Sequence, residues 1–137
     1  MIFFKKKENI DDNQLVKIGA LLIHAARIDE DFTQEEENII KQTLINLDAR
    51  NENIDEVIEK AKKMEESSNQ ILDFTKEVKN MEENKKIKIV KTLWKIIFSN
   101  KKADIYEANL MRRLAGLLYI DSKIMGDIKE QIKKENS

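Results

Sequence analysis

The residues best suited to chemistry lie in one short acidic segment. Between Arg27 and Lys41 the chain carries six carboxylates and no basic residue. Asp29 and Asp31 occupy alternate loop positions, and Glu36 follows one turn into the next helix. Hard cations such as Ca²⁺ and Mg²⁺ prefer clustered oxygen ligands of this kind. The spacing therefore predicts a weak divalent-cation site, which lacks the glycine and the loop length of an EF-hand.

A structural role for the same residues is the competing interpretation. Thr33 and Glu36 have the spacing of a capping box, in which the threonine oxygen accepts from a first-turn amide and the glutamate accepts from the Thr33 amide. The helix dipole also stabilises carboxylates at a helix N-terminus. Because capping residues are so common at helix starts, we favour the structural interpretation over cation binding.

Other chemistry has less support in the sequence. The chain has no cysteine, which excludes disulfides, thiolate–zinc sites and a cysteine nucleophile. His24 is the single histidine and lies among apolar residues, so we interpret it as a helix-packing side chain. Trp94, Phe98 and Tyr106 are interpreted as core. There is no glycine-rich phosphate loop and no nucleophile elbow, so we expect no enzymatic activity.

The charge distribution bears on partners. The chain has 25 basic and 26 acidic residues, and its net charge of −1 argues against nucleic acid. The lysines from Lys85 to Lys102 are interpreted as a solvated helix face. Phe3 and Phe4, followed by three lysines, predict either weak membrane-surface contact or packing onto the domain. The apolar stretch from Leu15 to Ile28 is too short and too charged to span a bilayer, and a cytoplasmic location is expected.

The elements that must position these residues are helices. The chain has no proline and three glycines, with 41% hydrophobic and 37% charged residues, which is typical of a soluble all-α domain. Helical spacing of apolar residues predicts a single compact bundle of about seven helices over residues 11–137, after an N-terminal tail of residues 1–10. The predicted helices run from Asp11 or Asp12 to near Ile28, from Thr33 through Leu47, from about Ile54 to Glu66, from Ile71 through Val78, from an Asn80–Glu83 cap pair to about Ser99, from an Asp104–Glu107 capping box through Leu118, and from Asp121 or Ser122 through Ile132. The longest apolar surface belongs to the first helix, which is expected to be central.

Two segments align without gaps at an offset of 71 residues. Leu22 to Lys41 matches Leu93 to Arg112, and each segment holds an apolar helix end, a polar loop and a capping box. In this alignment Glu107 is the equivalent of Glu36. Any two capped helical hairpins share some of these features, but we favour genuine repetition. The sequence thus predicts two helix–loop–helix units related by a pseudo-two-fold axis.

These two segments resemble the paired signatures of TerB-like proteins, the tellurite-resistance protein B superfamily. Residues 21–36 resemble the first signature and residues 93–115 the second, and the likeness extends from about Leu15 to Lys133. The resemblance implies an all-helical, cytoplasmic bacterial domain linked to tellurite and stress resistance. It also implies acidic clusters, metal binding and work at the inner membrane surface.

The first signature keeps most of the family pattern and the second keeps less. Asp29 and Glu36 are retained, although Glu30 replaces the usual glycine. In the second signature Asn100 stands where aspartate is expected, and only Glu107 of the acidic pair survives. The metal role implied by the family therefore carries over to Asp29 and Glu36, weakly to Glu107, and not to Asn100.

The second loop also carries a reversal of charge. Lys101 stands where the family has glycine, and Lys102 follows it. If the two loops are neighbours in the fold, one of these ammonium groups would lie beside Asp29 or Asp31 and replace a metal ion there.

Taken together, the sequence predicts a non-enzymatic, stress-associated TerB-like module with low affinity for Ca²⁺ or Mg²⁺. The predicted ligands are Asp29, Asp31, Glu36 and Glu107. One alternative is a protein-interaction or homodimerisation module without metal, and another is a metal-dependent hydrolase at the acidic loop. A protein partner or a second copy is expected.

Overall fold

Seven α-helices form the part of the chain that the structure describes. The computed structural model describes residues 11–28, 32–47, 53–67, 71–99 and 105–135. The helices are α1 (Asp12–Ala26), α2 (Gln34–Asn46), α3 (Ile54–Ser67), α4 (Leu72–Lys79), α5 (Glu83–Ser99), α6 (Ile105–Leu117) and α7 (Ser122–Glu135). Within these ranges there is no strand. The prediction of an all-α bundle of about seven helices is confirmed, and the predicted tail of residues 1–10 lies outside the described residues.

Helix α1 lies at the centre of the bundle. It packs against α2, α3, α4 and α5, and ten of its fifteen residues are buried. Leu21, Leu22 and Ile23 are consecutive and all have 0% exposure. A helix that is apolar on nearly all sides is stable only inside a core. The predicted central position of this helix is confirmed.

Helices α1 and α3 approach each other closely at Gly19. A Cβ atom added to Gly19 would lie 3.0 Å from Cβ of Ala61 and 3.4 Å from Cδ1 of Leu44. Both Gly19 and Ala61 are buried. The absence of a side chain on one helix and the single methyl group on the other therefore set the distance between the two backbones.

The second half of the bundle is built on α5. This helix packs against α7 and also against α2 and α1, while α4 contacts both α1 and α6. Trp94 is 5% exposed and stacks on Phe98, with ring centroids 5.6 Å apart. The predicted core position of Trp94 is confirmed, and Phe98 is partly buried and packs against the core. The side chain of Tyr106 lies outside the described residues. No described residue accepts a hydrogen bond from Nε1 of Trp94.

Two threonines join α2 to α5 inside the core. Oγ1 of Thr43 and Oγ1 of Thr92 lie 2.7 Å apart, and the residues are 8% and 3% exposed. Each hydroxyl also lies within hydrogen-bonding distance of a carbonyl one turn earlier in its own helix, at 3.0 Å from Ile39 and 2.9 Å from Lys88. The pair gives both buried hydroxyls a partner, which a buried polar group requires.

Capping side chains fix several helix starts as predicted. Asp11 caps α1 and accepts from the amide of Gln14 at 2.8 Å. Asp121 precedes α7 and accepts from the amide of Lys123 at 2.8 Å. Asp104, predicted to cap α6, lies outside the described residues.

The predicted Asn80–Glu83 cap pair is wrong. Asn80 is the C-cap of α4 and its amide donates to the carbonyl of Val78. Helix α5 begins at Glu83, and the amides of Lys85 and Lys86 donate to the carbonyl of Glu82. Helix α4 extends to Lys79, one residue past its last apolar residue. Asn80 is therefore the C-cap of α4 and cannot also be the N-cap of α5.

The helix boundaries agree with the predicted internal repeat. Helix α6 begins at 105 and ends at 117, and α2 begins at 34 and ends at 46, so both bounds differ by 71 residues. Helix α1 packs on α3, and α5 packs on α7. Residues 29–31 and 100–104, which include the two loops, lie outside the described residues, so the pseudo-two-fold relation stays a prediction.

None of the described helices is both long enough and apolar enough to cross a bilayer.

The close approach of α1 and α3 yields a paired test. Gly19→Ala is expected to lower the free energy of unfolding by about 1–3 kcal/mol, because the new methyl group is overpacked against Ala61. Gly126→Ala in α7 is the control, since nothing lies within 4 Å of its added Cβ. That control is expected to gain about 0.5–1 kcal/mol from helix propensity. Urea unfolding of both variants measures the difference, and equal gains would contradict the close approach.

Candidate functional site

Of the four predicted cation ligands, Glu36 is the one whose side chain the structure describes. It lies in the first turn of α2 and is 3% exposed. Glu107 lies in the first turn of α6, and its side chain is outside the described residues. Asp29 and Asp31 are also outside them. The convergence of the four carboxylates on one ion stays a prediction.

Glu36 and Thr33 form the predicted capping box. The Thr33 amide donates to Oε1 of Glu36 at 2.8 Å, and the Glu36 amide donates to Oγ1 of Thr33 at 3.1 Å. The Thr33 hydroxyl also donates to Oε1 of Glu36, at 3.2 Å. These contacts, together with the positive end of the α2 dipole, stabilise a carboxylate that is removed from water. The capping role of Glu36 is confirmed.

The ends of the acidic loop are anchored to α3. Before the loop, Arg27 donates to Oε1 of Glu65 at 2.6 Å and lies 3.5 Å from Glu66. After the loop, the ring centroid of Phe32 lies 5.6 Å from the Arg27 guanidinium and 6.0 Å from the Lys62 ammonium. Both distances are in the range of cation–π contacts. Helix α3 therefore fixes where the loop leaves α1 and where it enters α2.

His24 lies at the surface between α1 and α3. Its Nδ1 atom is 3.4 Å from Oε2 of Glu65, and its side chain is 38% exposed. The sequence interpretation placed it in helix packing because its neighbours are apolar. Adjacent residues on a helix point to different faces, so apolar neighbours in sequence did not determine its exposure.

A network of ion pairs, which the sequence analysis does not predict, connects α2 to α3. Glu37 lies 2.6 Å from Nζ of Lys62 and 3.5 Å from Nζ of Lys41. Lys41 also lies 3.0 Å from Asp55. The i,i+4 spacing of Glu37 and Lys41 was the one available signal. Lys62 is 25 positions from Glu37, and the fold alone brings these two together.

These contacts shift the pKa values of the groups involved. The hydrogen bond from Lys62 holds the pKa of Glu37 below its ordinary value, although partial burial opposes this. The hydrogen bond to Glu37 raises the pKa of Lys62, and the hydrogen bond to Asp55 raises that of Lys41. Glu37 therefore serves the contact between α2 and α3 as an ionised group. Among the described side chains, no cluster of three or more histidine, aspartate or glutamate residues could hold a metal ion.

Helices packed around a central apolar helix, with an acidic loop that leads into a buried capping glutamate, define a small all-α module. The sequence matches the family model described as tellurite resistance protein TerB over residues 15–130. This match covers most of the chain, and the chain belongs to the TerB family. No match was found among curated proteins or among solved structures.

The Glu37–Lys62 pair yields a pH-dependent test. Glu37→Gln is expected to lower the free energy of unfolding by about 1 kcal/mol at neutral pH. Because the pKa of Glu37 is lowered in the folded protein, this stability is present above the ordinary pKa of 4.5. It is lost as the pH falls through the lower value of the folded state. Urea unfolding of wild type and variant across the acid range measures this loss.

Glu35→Gln is the matched control, because Glu35 is exposed in the same first turn. This variant is expected to lose only the contribution of a first-turn carboxylate to the helix dipole, about 0.3 kcal/mol, which Glu37→Gln loses as well. A deficit of Glu37→Gln that stays constant down to about pH 2 would contradict the ion-pair explanation.

Proposed function

We propose that the chain is a non-enzymatic, stress-associated module of the bacterial cytoplasm that binds divalent cations weakly at its acidic loop. The proposed ligands are Asp29, Asp31 and Glu36, with a smaller contribution from Glu107. The observation that carries the proposal is the burial of the Glu36 carboxylate where this loop enters α2. A protein partner or a second copy, rather than nucleic acid, is its proposed target.

Burial of Glu36 supports cation binding for an electrostatic reason. Removing a carboxylate from water costs free energy unless hydrogen bonds or an opposite charge compensate for it. Thr33 and the α2 dipole supply such compensation. A cation held by the loop aspartates would add to it. Oxygen ligands favour Ca²⁺ or Mg²⁺ over softer metals.

The surroundings of the loop support low affinity. Oε1 of Glu36 already accepts from Thr33, so a metal would compete with the helix cap for this oxygen. The cationic groups of Arg27 and Lys62 contact Phe32 at the end of the loop and would repel a divalent ion. Their charges are balanced by Glu65 and Glu37, which limits this repulsion.

Calorimetric titration of chelator-treated protein tests the proposal. Ca²⁺ and Mg²⁺ are expected to bind with dissociation constants of about 0.1–1 mM, in the range of weak oxygen-ligand sites. Glu36→Gln is expected to abolish binding while keeping the cap, because glutamine also accepts from the Thr33 amide. The double variant Asp29→Asn with Asp31→Asn is expected to have the same effect.

Glu35→Gln provides the control with the same change of charge. It is expected to bind like wild type, since Glu35 is exposed and outside the capping box. Absence of binding to wild type would refute the cation site and favour a metal-independent interaction module. Cation-dependent hydrolysis of ester or phosphoester substrates that is lost in Glu36→Gln would refute the non-enzymatic assignment.

A further inference from the structure

A groove between α4 and α6 carries the two large apolar side chains that are exposed among the described residues. These are Leu72, which is 44% exposed, and Tyr119, which is 67% exposed. The groove has a volume of about 390 Å³, and Leu117 and Gly116 also line it. We refer to the surface formed by these four residues and their neighbouring lysines as the α4–α6 groove.

Tyr119 has an unusual backbone for an aromatic residue. Its φ angle of 57° is the one positive value among the non-glycine residues in the described ranges. The Ile120 amide donates to the carbonyl of Ala115 at 2.9 Å, and the Tyr119 amide donates to that of Gly116 at 3.3 Å. This is a Schellman motif, in which glycine usually takes the position of Tyr119. A bulky exposed ring in a strained conformation indicates a role other than helix termination.

Lysines surround this ring. The Nζ atoms of Lys79 and Lys86 each lie 5.9 Å from the centroid of Tyr119, and Lys76 lines the same groove. None of the three forms an ion pair with another described residue. Lys86 is 6% exposed, so the prediction that it belongs to a solvated lysine face is wrong. Asp73 is the one acidic residue among the described residues of the lining. The groove therefore combines an apolar floor with an excess of positive charge.

Gly116 leaves space above the α6 backbone. A Cβ atom added there would meet nothing within 4 Å, and the residue is exposed. A side chain from a partner can therefore approach the helix closely at this point.

We propose that the α4–α6 groove docks an acidic peptide segment of a partner protein. An apolar side chain of the segment lies against Leu72 and Tyr119, and its carboxylates pair with Lys76 and Lys79. Charge complementarity selects this occupant, because an uncharged apolar partner would bury the lysines without a counter-charge. The proposal is independent of the cation site, since it uses no residue of the acidic loop.

Binding can be tested with a synthetic peptide on ¹⁵N-labelled protein. The probe is a glutamate–serine peptide with one central leucine. Its matched controls replace the leucine by serine or every glutamate by lysine. The glutamate–serine peptide with leucine is expected to change the amide chemical shifts of residues 72–79 and 116–119. The two control peptides are expected to leave these shifts unchanged.

Charge-reversal variants distinguish binding in the groove from a general effect of net charge. The double variant Lys76→Glu with Lys79→Glu is expected to weaken binding at least fivefold. The control is Lys88→Glu with Lys95→Glu, two exposed lysines on α5 that change the net charge equally. Equal weakening in both double variants, or no shift changes in the groove, would overturn the proposal.

Tyr119→Gly distinguishes a binding role from a structural one. Glycine is unstrained at this backbone position, so the variant is expected to have a higher Tm together with weaker peptide binding. Gly116→Leu is expected to keep the Tm and block binding by filling the open space. A fall in Tm on Tyr119→Gly would make the ring structural and overturn the proposal. If the wild-type protein forms a dimer that either variant dissociates, the occupant of the groove is a second copy of this chain and the proposal is overturned.

Discussion

The contact between Gly19 of α1 and Ala61 of α3 sets the distance between the two helices that border the acidic loop. Because a Cβ on Gly19 would come within 3.0 Å of Ala61, the two backbones lie as close as the small residues permit. This distance places Lys62 and Glu65 where they reach Phe32, Glu37 and Arg27. Close apolar packing in the core thus determines the polar contacts at the surface, and these in turn fix the ends of the loop.

Two groups of charged side chains among the described residues have different roles. Near the acidic loop, Lys62 and Arg27 pair with carboxylates on neighbouring elements and connect helices. At the α4–α6 groove, the ammonium groups of Lys79 and Lys86 each lie 5.9 Å from the ring centroid of Tyr119, and Lys86 is buried beneath the surface. Paired charges of the first kind mainly hold elements in place. Lys76 and Lys79, which line the groove, keep their charge available to a ligand.

Much of the fold could be predicted because the apolar residues repeat with the helical period and few residues break helices. The Thr33–Glu36 capping box was also predictable, since it is local in sequence. Spacing alone misassigned Asn80, because an asparagine between two helices fits the end of one as well as the start of the next. The Glu37–Lys62 pair and the exposure of Tyr119 depend on packing between distant segments, so the sequence offered no local signal for either.

The threonine pair between α2 and α5 has two hydroxyl protons for three close contacts. Thr43 lies near Ile39 and Thr92 near Lys88, and the two oxygens also face each other. Either Thr43 or Thr92 can donate the proton that bridges the two oxygens. Two proton arrangements therefore exist, and they interchange by rotation of both hydroxyls. Either threonine can also bond to its own helix alone. Loss of one hydroxyl therefore leaves the other with an acceptor in its own helix, and no buried donor is orphaned.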